Sequence, residues 1–167
     1  MMIRRRISLA LFALSLAGCT PPPVVLPPPP PPPPPPAPVQ TPEEIAAERT
    51  ARAARLWNEG IQFGRAGRWF QAERSYREAA SLQPDSAKYP MAQAGALLQM
   101  GRDAEAADAL RAAIRLEEAA TPVNHTVLAV DYERLIQVLE RVGRLDEART
   151  ARERQRFHRM MRDAQQR

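Results

Sequence analysis

An all-α solenoid of about three helical hairpins is the fold class this sequence predicts, on three observations. A short pattern, Ala66-Gly67-Arg68-Trp69, returns as Met100-Gly101-Arg102-Asp103 and as Val142-Gly143-Arg144-Leu145. An alanine follows each glycine at the same distance, as Ala72, Ala106 and Ala148. Between these marks apolar residues recur at helical spacing, without runs of β-branched residues.

Ahead of the repeat stand two segments of a different kind. Arg4-Arg5-Arg6 is followed by a mostly apolar run from Ile7 to Ala17 and then by Gly18-Cys19. A basic start, a short apolar stretch and small residues at the end make a secretory signal. The run falls short of the roughly 20 residues that a membrane span needs. Cys19 is the only cysteine, so it has no disulfide partner within the chain. A buried structural thiol also fits poorly between a leader and a proline tract.

Leu16-Ala17-Gly18-Cys19 resembles the bacterial lipobox. That resemblance implies that residues 1–18 are a signal peptide cleaved before Cys19. It also implies that Cys19 carries a thioether-linked diacylglycerol and usually an amide-linked third chain. Buried acyl carbon contributes about 0.8 kcal/mol per CH₂, so two or three chains hold a protein on a membrane effectively for good. Thr20 follows the cysteine, where enterobacterial lipoproteins retained in the inner membrane carry aspartate. The resemblance therefore implies the outer membrane, with the domain facing the periplasm.

Residues 19–41 form the second segment, a proline-rich spacer. Ten prolines run from Pro27 to Pro36, after Pro21-Pro22-Pro23 and Val24-Val25-Leu26. Proline lacks the N–H that helices and sheet ladders need. Such a stretch is expected to be a disordered stalk with polyproline II character, reaching up to ~70 Å at about 3.1 Å per residue. Three uses stay open: carrying the next domain through the cell-wall mesh, serving as a ligand for a proline-binding partner, or plain spacing.

The helical domain, residues 42–167, opens at Thr41-Pro42-Glu43-Glu44. This is a capping box with proline at the first helical position. Residues 42–52, rich in Ala, Glu and Arg, extend the first helix as a cap or stem. The first hairpin then carries Leu56, Gly60, Phe63, Ala72, Tyr76, Ala79 and Pro84. Gly60 and Ala72 are small enough to let two helices approach, and Phe63 and Tyr76 fill the space between them. Gly67 takes the positive φ that ends a helix, and Pro84 stops the second helix.

These residues, and the 34-residue offset from Gly67 to Gly101, resemble the tetratricopeptide repeat. The resemblance implies repeats at about 53–86, 87–120 and 121–162. The second copy keeps Ala94, Leu97, Ala106, Leu110 and Ala113 but has Glu118 where the proline would stand. The third is offset by 42 residues, from Gly101 to Gly143. That offset predicts a first helix starting early, at Thr121-Pro122, and gaining about two turns. Tyr132, Leu135, Ile136 and Leu139 form its apolar stripe. In its second helix Arg152 and Gln155 replace apolar residues. Either that helix is a solvating terminal cap, or residues 145–166 form a basic helix that touches anionic lipid or a partner.

Composition narrows the function classes. The chain has 24 basic and 19 acidic residues, a formal charge of +5. Three arginines fall in the leader, so the mature chain stands at 21 against 19, which is weak ground for nucleic acid. No phosphate loop, paired-histidine zinc motif or Gly-x-Ser-x-Gly elbow occurs. His125 and His158 lie far apart in sequence and are expected at the surface. No catalysis, metal or cofactor is expected, apart from the covalent lipid on Cys19.

In tetratricopeptide proteins the first helix of each hairpin lines the concave face. Carried onto this sequence, the resemblance implies a partner groove of Trp57, Ile61 and Arg65, then Lys88, Met91 and Leu98, then Arg134, Gln137 and Arg141. Gly95 in the second copy and Glu133 in the third match the same concave positions. The apolar members suit an apolar peptide or helix face, and the cations suit acidic groups. The carboxylate clamp of the chaperone-type members is not reproduced, because Trp57 and Ile61 occupy its lysine and asparagine positions. Trp57 has a second reading, as packing between copies. The leading function is a membrane-anchored periplasmic adaptor or assembly factor that binds a segment of another envelope protein. The alternative is a structural tether between outer membrane and cell wall, with peptidoglycan or an anionic surface as its partner.

Overall fold

The computed structural model describes residues 41–167, which form six helices. The lipobox with Cys19, the leader and the proline spacer up to Gln40 lie outside the described residues. No helix among those described is long and apolar enough to cross a membrane.

Helix α1 (Pro42–Arg65) starts where the capping box predicts. The Glu44 N–H donates to Thr41 Oγ1 at 3.2 Å, and the Thr41 N–H donates to Glu44 Oε2 at 2.8 Å. Two of the amides that a helix start leaves unpaired are thereby satisfied. Residues 41–52 are all exposed, and Ala53 is the first buried one. Over this stretch only Arg52 to Glu78 and Gln83 to Thr50 tie α1 sideways.

The recurring Gly-Arg marks are helix stops. Gly67, Gly101 and Gly143 have φ of +70°, +71° and +76°. The arginine after each donates its N–H back to Phe63, Leu97 or Leu139 at 2.9, 3.0 and 2.9 Å. The glycine N–H reaches Gly64, Leu98 or Glu140. This is the Schellman closure, and its left-handed residue favours glycine. The same arginine then serves the next helix through its side chain. Arg68 bonds Gln71, Arg102 bonds Glu105, and Arg144 bonds Glu147. One residue thus closes one helix and clamps the first turn of the following one, in all three copies.

Those following helices are α2 (Trp69–Leu82), α4 (Asp103–Ala119) and α6 (Leu145–Gln165). Between them run α3 (Lys88–Gln99) and α5 (His125–Arg141). Pro90 falls in the first turn of α3, where an N–H would have no intrahelical partner. Each helix packs on its neighbours in sequence, the geometry of a stacked solenoid.

Packing follows side-chain size. Gly60 faces Tyr76 so closely that a Cβ there would lie 2.4 Å from the ring. The main core gathers Leu97, Leu110, Ile114, Leu128, Leu135 and Leu139 from α3 to α5, with Ala148 and Ala151 of α6. Leu139 is 1% exposed, and burying such a side chain contributes about 2 kcal/mol.

The third hairpin departs from expectation. Its first helix starts at His125 rather than at Thr121-Pro122, because Asn124 Oδ1 accepts the Val127 N–H at 3.1 Å and caps there. It has 17 residues against 12 in α3, a gain nearer one turn than two. The remaining offset is taken by α4, which has 17 residues against 14 in α2 and runs to Ala119 because no proline stops it.

Candidate functional site

Helices α1, α3 and α5 alternate with α2, α4 and α6 and carry all nine of the groove positions read from the sequence. A helix turns about 100° per residue, so positions two apart lie on opposite faces. On α5 this separates Arg134, Gln137 and Arg141 from Tyr132, Leu135 and Leu139. The second set is buried, whereas Arg134, Gln137 and Arg141 are exposed.

Trp57 is half-buried and packs on two rings. Its centroid lies 5.4 Å from that of Tyr76 and 5.7 Å, edge-on, from that of Tyr89. Trp57 therefore packs in the joint between α1, α2 and α3 while staying partly exposed. Lys88 is brought beside it, with Nζ 5.6 Å from the Trp57 ring centre and 4.6 Å from that of Tyr89. A cation over aromatic faces is attracted by their quadrupoles. Tyr89 is fully buried and donates its O–H to Gln83 at 2.7 Å.

Met91 and Arg134 form a second contact, with Nη1 3.9 Å from the thioether sulfur. Arg134 also reaches the buried Asp131 at 3.2 Å. Behind it the Glu117 carboxyl, whose Oε2 is buried without a donor among the described residues, faces Asp131 and can bond it only when protonated. Burial, then that bond and the Asp131 charge, push the Glu117 carboxyl up to about 7, with Arg134 acting against them. Leu98 packs on the core, Ile61 is half-buried, and Arg65 is exposed. Arg141 is drawn aside into an ion pair with Asp103 at 3.0 Å. Glu73 is buried below the α2–α3 joint, where it accepts from Arg77 at 3.0 Å and Gln93 at 2.8 Å.

The histidines correct a second expectation. His158 is 4% exposed, not a surface residue, and its Nδ1 lies 2.8 Å from that of His125. Its ring stacks on Tyr132, with centroids 5.6 Å apart. Tyr132 donates to Glu118 Oε1 at 2.8 Å, and His158 Nε2 faces the same oxygen at 3.5 Å. At the Nδ1–Nδ1 contact one ring donates and the other accepts, while His158 Nε2 is buried beside Glu118 with no hydrogen-bond partner among the described residues. Burial is the main reason the His158 pKa is lowered. The four residues come from three helices, and no sequence motif links them. No group of three or more His, Cys, Asp or Glu side chains suited to a metal occurs among the described residues.

No family model and no curated protein matches this chain. Solved structures with a similar fold do exist. The N-terminal domain of stress-induced protein-1 from C. elegans superposes with a TM-score of 0.59 at 16% identity, covering 66% of this chain and 86% of that one. The first TPR of Spaghetti (RPAP3), bound to the HSP90 peptide SRMEEVD, gives 0.53 at 19% identity over 65% of this chain and 80% of that one. MamA gives 0.52 at 24% identity over 68% and 61%. The described residues thus have the tetratricopeptide repeat fold.

Proposed function

We propose that this protein is a membrane-anchored adaptor whose tetratricopeptide domain binds a peptide segment of another protein in the bacterial envelope. The observation that carries the reading is the pair of contacts along α1, α3 and α5. Lys88 sits against Trp57 and Tyr89, and Arg134 sits against Met91. Apolar surface alternates with cations there, the chemistry of a face that takes an apolar segment with acidic flanks. A neighbour of the same fold has been solved with a bound peptide, which supports peptide binding as the task. Trp57 and Ile61 in place of the clamp residues favour a different peptide from the HSP90 tail. The lipobox at Cys19 supports an outer-membrane anchor, and the proline spacer supports a domain held off that membrane. The reading assigns no catalytic role.

A photo-crosslinking residue at Met91, in cells carrying the anchored protein, tests it. A discrete protein adduct is expected, lost when Lys88→Glu and Arg134→Glu are added. Capture of lipid alone, or of nothing, overturns the groove.

A tether to wall or anionic lipid is the second reading. It draws on Phe157, Met160 and Met161, which are exposed on α6 among arginines. Part of that charge is already engaged: Arg152 pairs with Glu140, Arg159 with Glu133 and Arg162 with Asp163. Pelleting with purified peptidoglycan or anionic vesicles should depend on residues 149–167 if the tether reading holds.

A further inference from the structure

The buried apolar stripe of α5 lies at the bottom of an open cleft. Tyr132, Leu135 and Leu139 form the floor of a cleft of about 300 Å³, with α4 as one wall and α6 as the other. It opens on the face of α5 opposite Arg134, Gln137 and Arg141, so it is separate from the groove above.

Its origin is legible in side-chain size. The α6 wall is built from Thr150 and Ala151, too short to cross to Ile114 on α4. One end is closed by ion pairs, with Arg111 held by Glu147. Glu118 and Arg154 also line a separate hollow beside Val123, His125 and Phe157. An apolar floor between two helix walls suits side chains of a peptide segment.

The charges on the rim identify the occupant. Glu147 is neutralised by Arg111 and Arg144, and Glu118 is occupied by Tyr132. Arg115 and Arg154 line the same cleft from opposite walls and have no ion pair among the described residues. Two uncommitted guanidiniums across an apolar slot complement a segment with apolar side chains pointing in and carboxylates pointing out. A bilayer fits less well, because the floor is recessed: Tyr132 is 7% exposed, Leu135 4% and Leu139 1%.

We infer that the cleft between α4 and α6 is a second docking surface, for an acidic, leucine-bearing peptide segment of a partner. The domain then holds two segments on opposite sides of α5, which makes it a bridge between partners.

Fluorescence anisotropy tests this on the folded mature protein, using a labelled Leu-Glu repeat peptide and its Leu-Lys counterpart as probes. Saturable binding of the Leu-Glu peptide is expected, weakened at least ~10-fold by Arg115→Glu with Arg154→Glu and abolished by Thr150→Trp, which fills the slot. All three side chains are exposed, and circular dichroism checks that each variant keeps its helices; Arg115→Glu alone serves if the double variant does not fold. Absence of saturable binding, equal binding of the Leu-Lys peptide, or indifference to these variants overturns the proposal. So does phosphatidylglycerol vesicle binding that the same reversals abolish while the peptide does not bind.

Discussion

His125 Nδ1 and His158 Nδ1 stand 2.8 Å apart and join the first residue of α5 to the far half of α6. Among the described residues α6 is the last helix and packs on α5. The contact needs one imidazole nitrogen bare and the other protonated. A second proton on the pair sets two donors against each other in a half-buried site. The surrounding groups are Glu118 from α4, Tyr132 from α5 and Arg154 from α6.

The sign of the resulting pH dependence follows. The folded pKa of His158 is depressed below its usual 6.5. Its neutral form is favoured by folding, so this contribution is fully present above pH 6.5 and lost as pH falls below it. Thermal melts followed by circular dichroism should show His158→Phe removing that acid-side loss while keeping the stack on Tyr132. An unchanged slope would count against the pair.

Glu117 acts in the opposite sense. Its pKa rises from 4.5 to about 7 in the fold. The folded protein binds this proton more tightly, so the contribution is present below pH 4.5 and lost as pH rises to about 7. Between pH 5 and 6.5 the wild type therefore carries two slopes in opposition. Glu117→Gln removes one of them. The same melts on that variant should show stability falling more steeply on acidification than in the wild type.

Gly60→Ala tests the close approach of α1 and α2. Helix propensity alone favours alanine by about 1 kcal/mol. The added Cβ would meet the Tyr76 ring at 2.4 Å, and Trp57 backs that ring. Overpacking of this kind costs about 1–3 kcal/mol, so urea denaturation should show a net loss. Pairing the change with Tyr76→Leu should recover part of it.

Cys19→Ala tests the anchor. The variant is expected in a soluble or unprocessed pool on membrane fractionation. A variant that is processed and still fractionates like the wild type rules out lipidation as the attachment.

The hairpins could be read from sequence because their signals are local. A glycine at positive φ, an arginine after it and a partner three residues on are contained within one turn, and the capping box is equally short. The buried and open faces of α5 were also readable, since Tyr132 and Arg134 differ by a fixed rotation. Pairings across helices were not. His125 and His158 meet only once α5 and α6 are packed. Glu117 and Asp131 meet only once α4 and α5 are packed. The α4–α6 cleft depends on how far apart two helices come to rest, which no spacing of residues encodes.

Because every helix rests on the one before it, the domain has a defined order of failure under load. Tension on the chain ahead of Thr41 enters at the capping box and reaches first the stretch that no buried side chain secures. Residues 41–52 would peel before the joint at Trp57 is strained, leaving Ala53 as the first apolar contact to resist. The exposed start of α1 is in this sense a shock absorber. It would yield length before the aromatic joint behind it begins to deform.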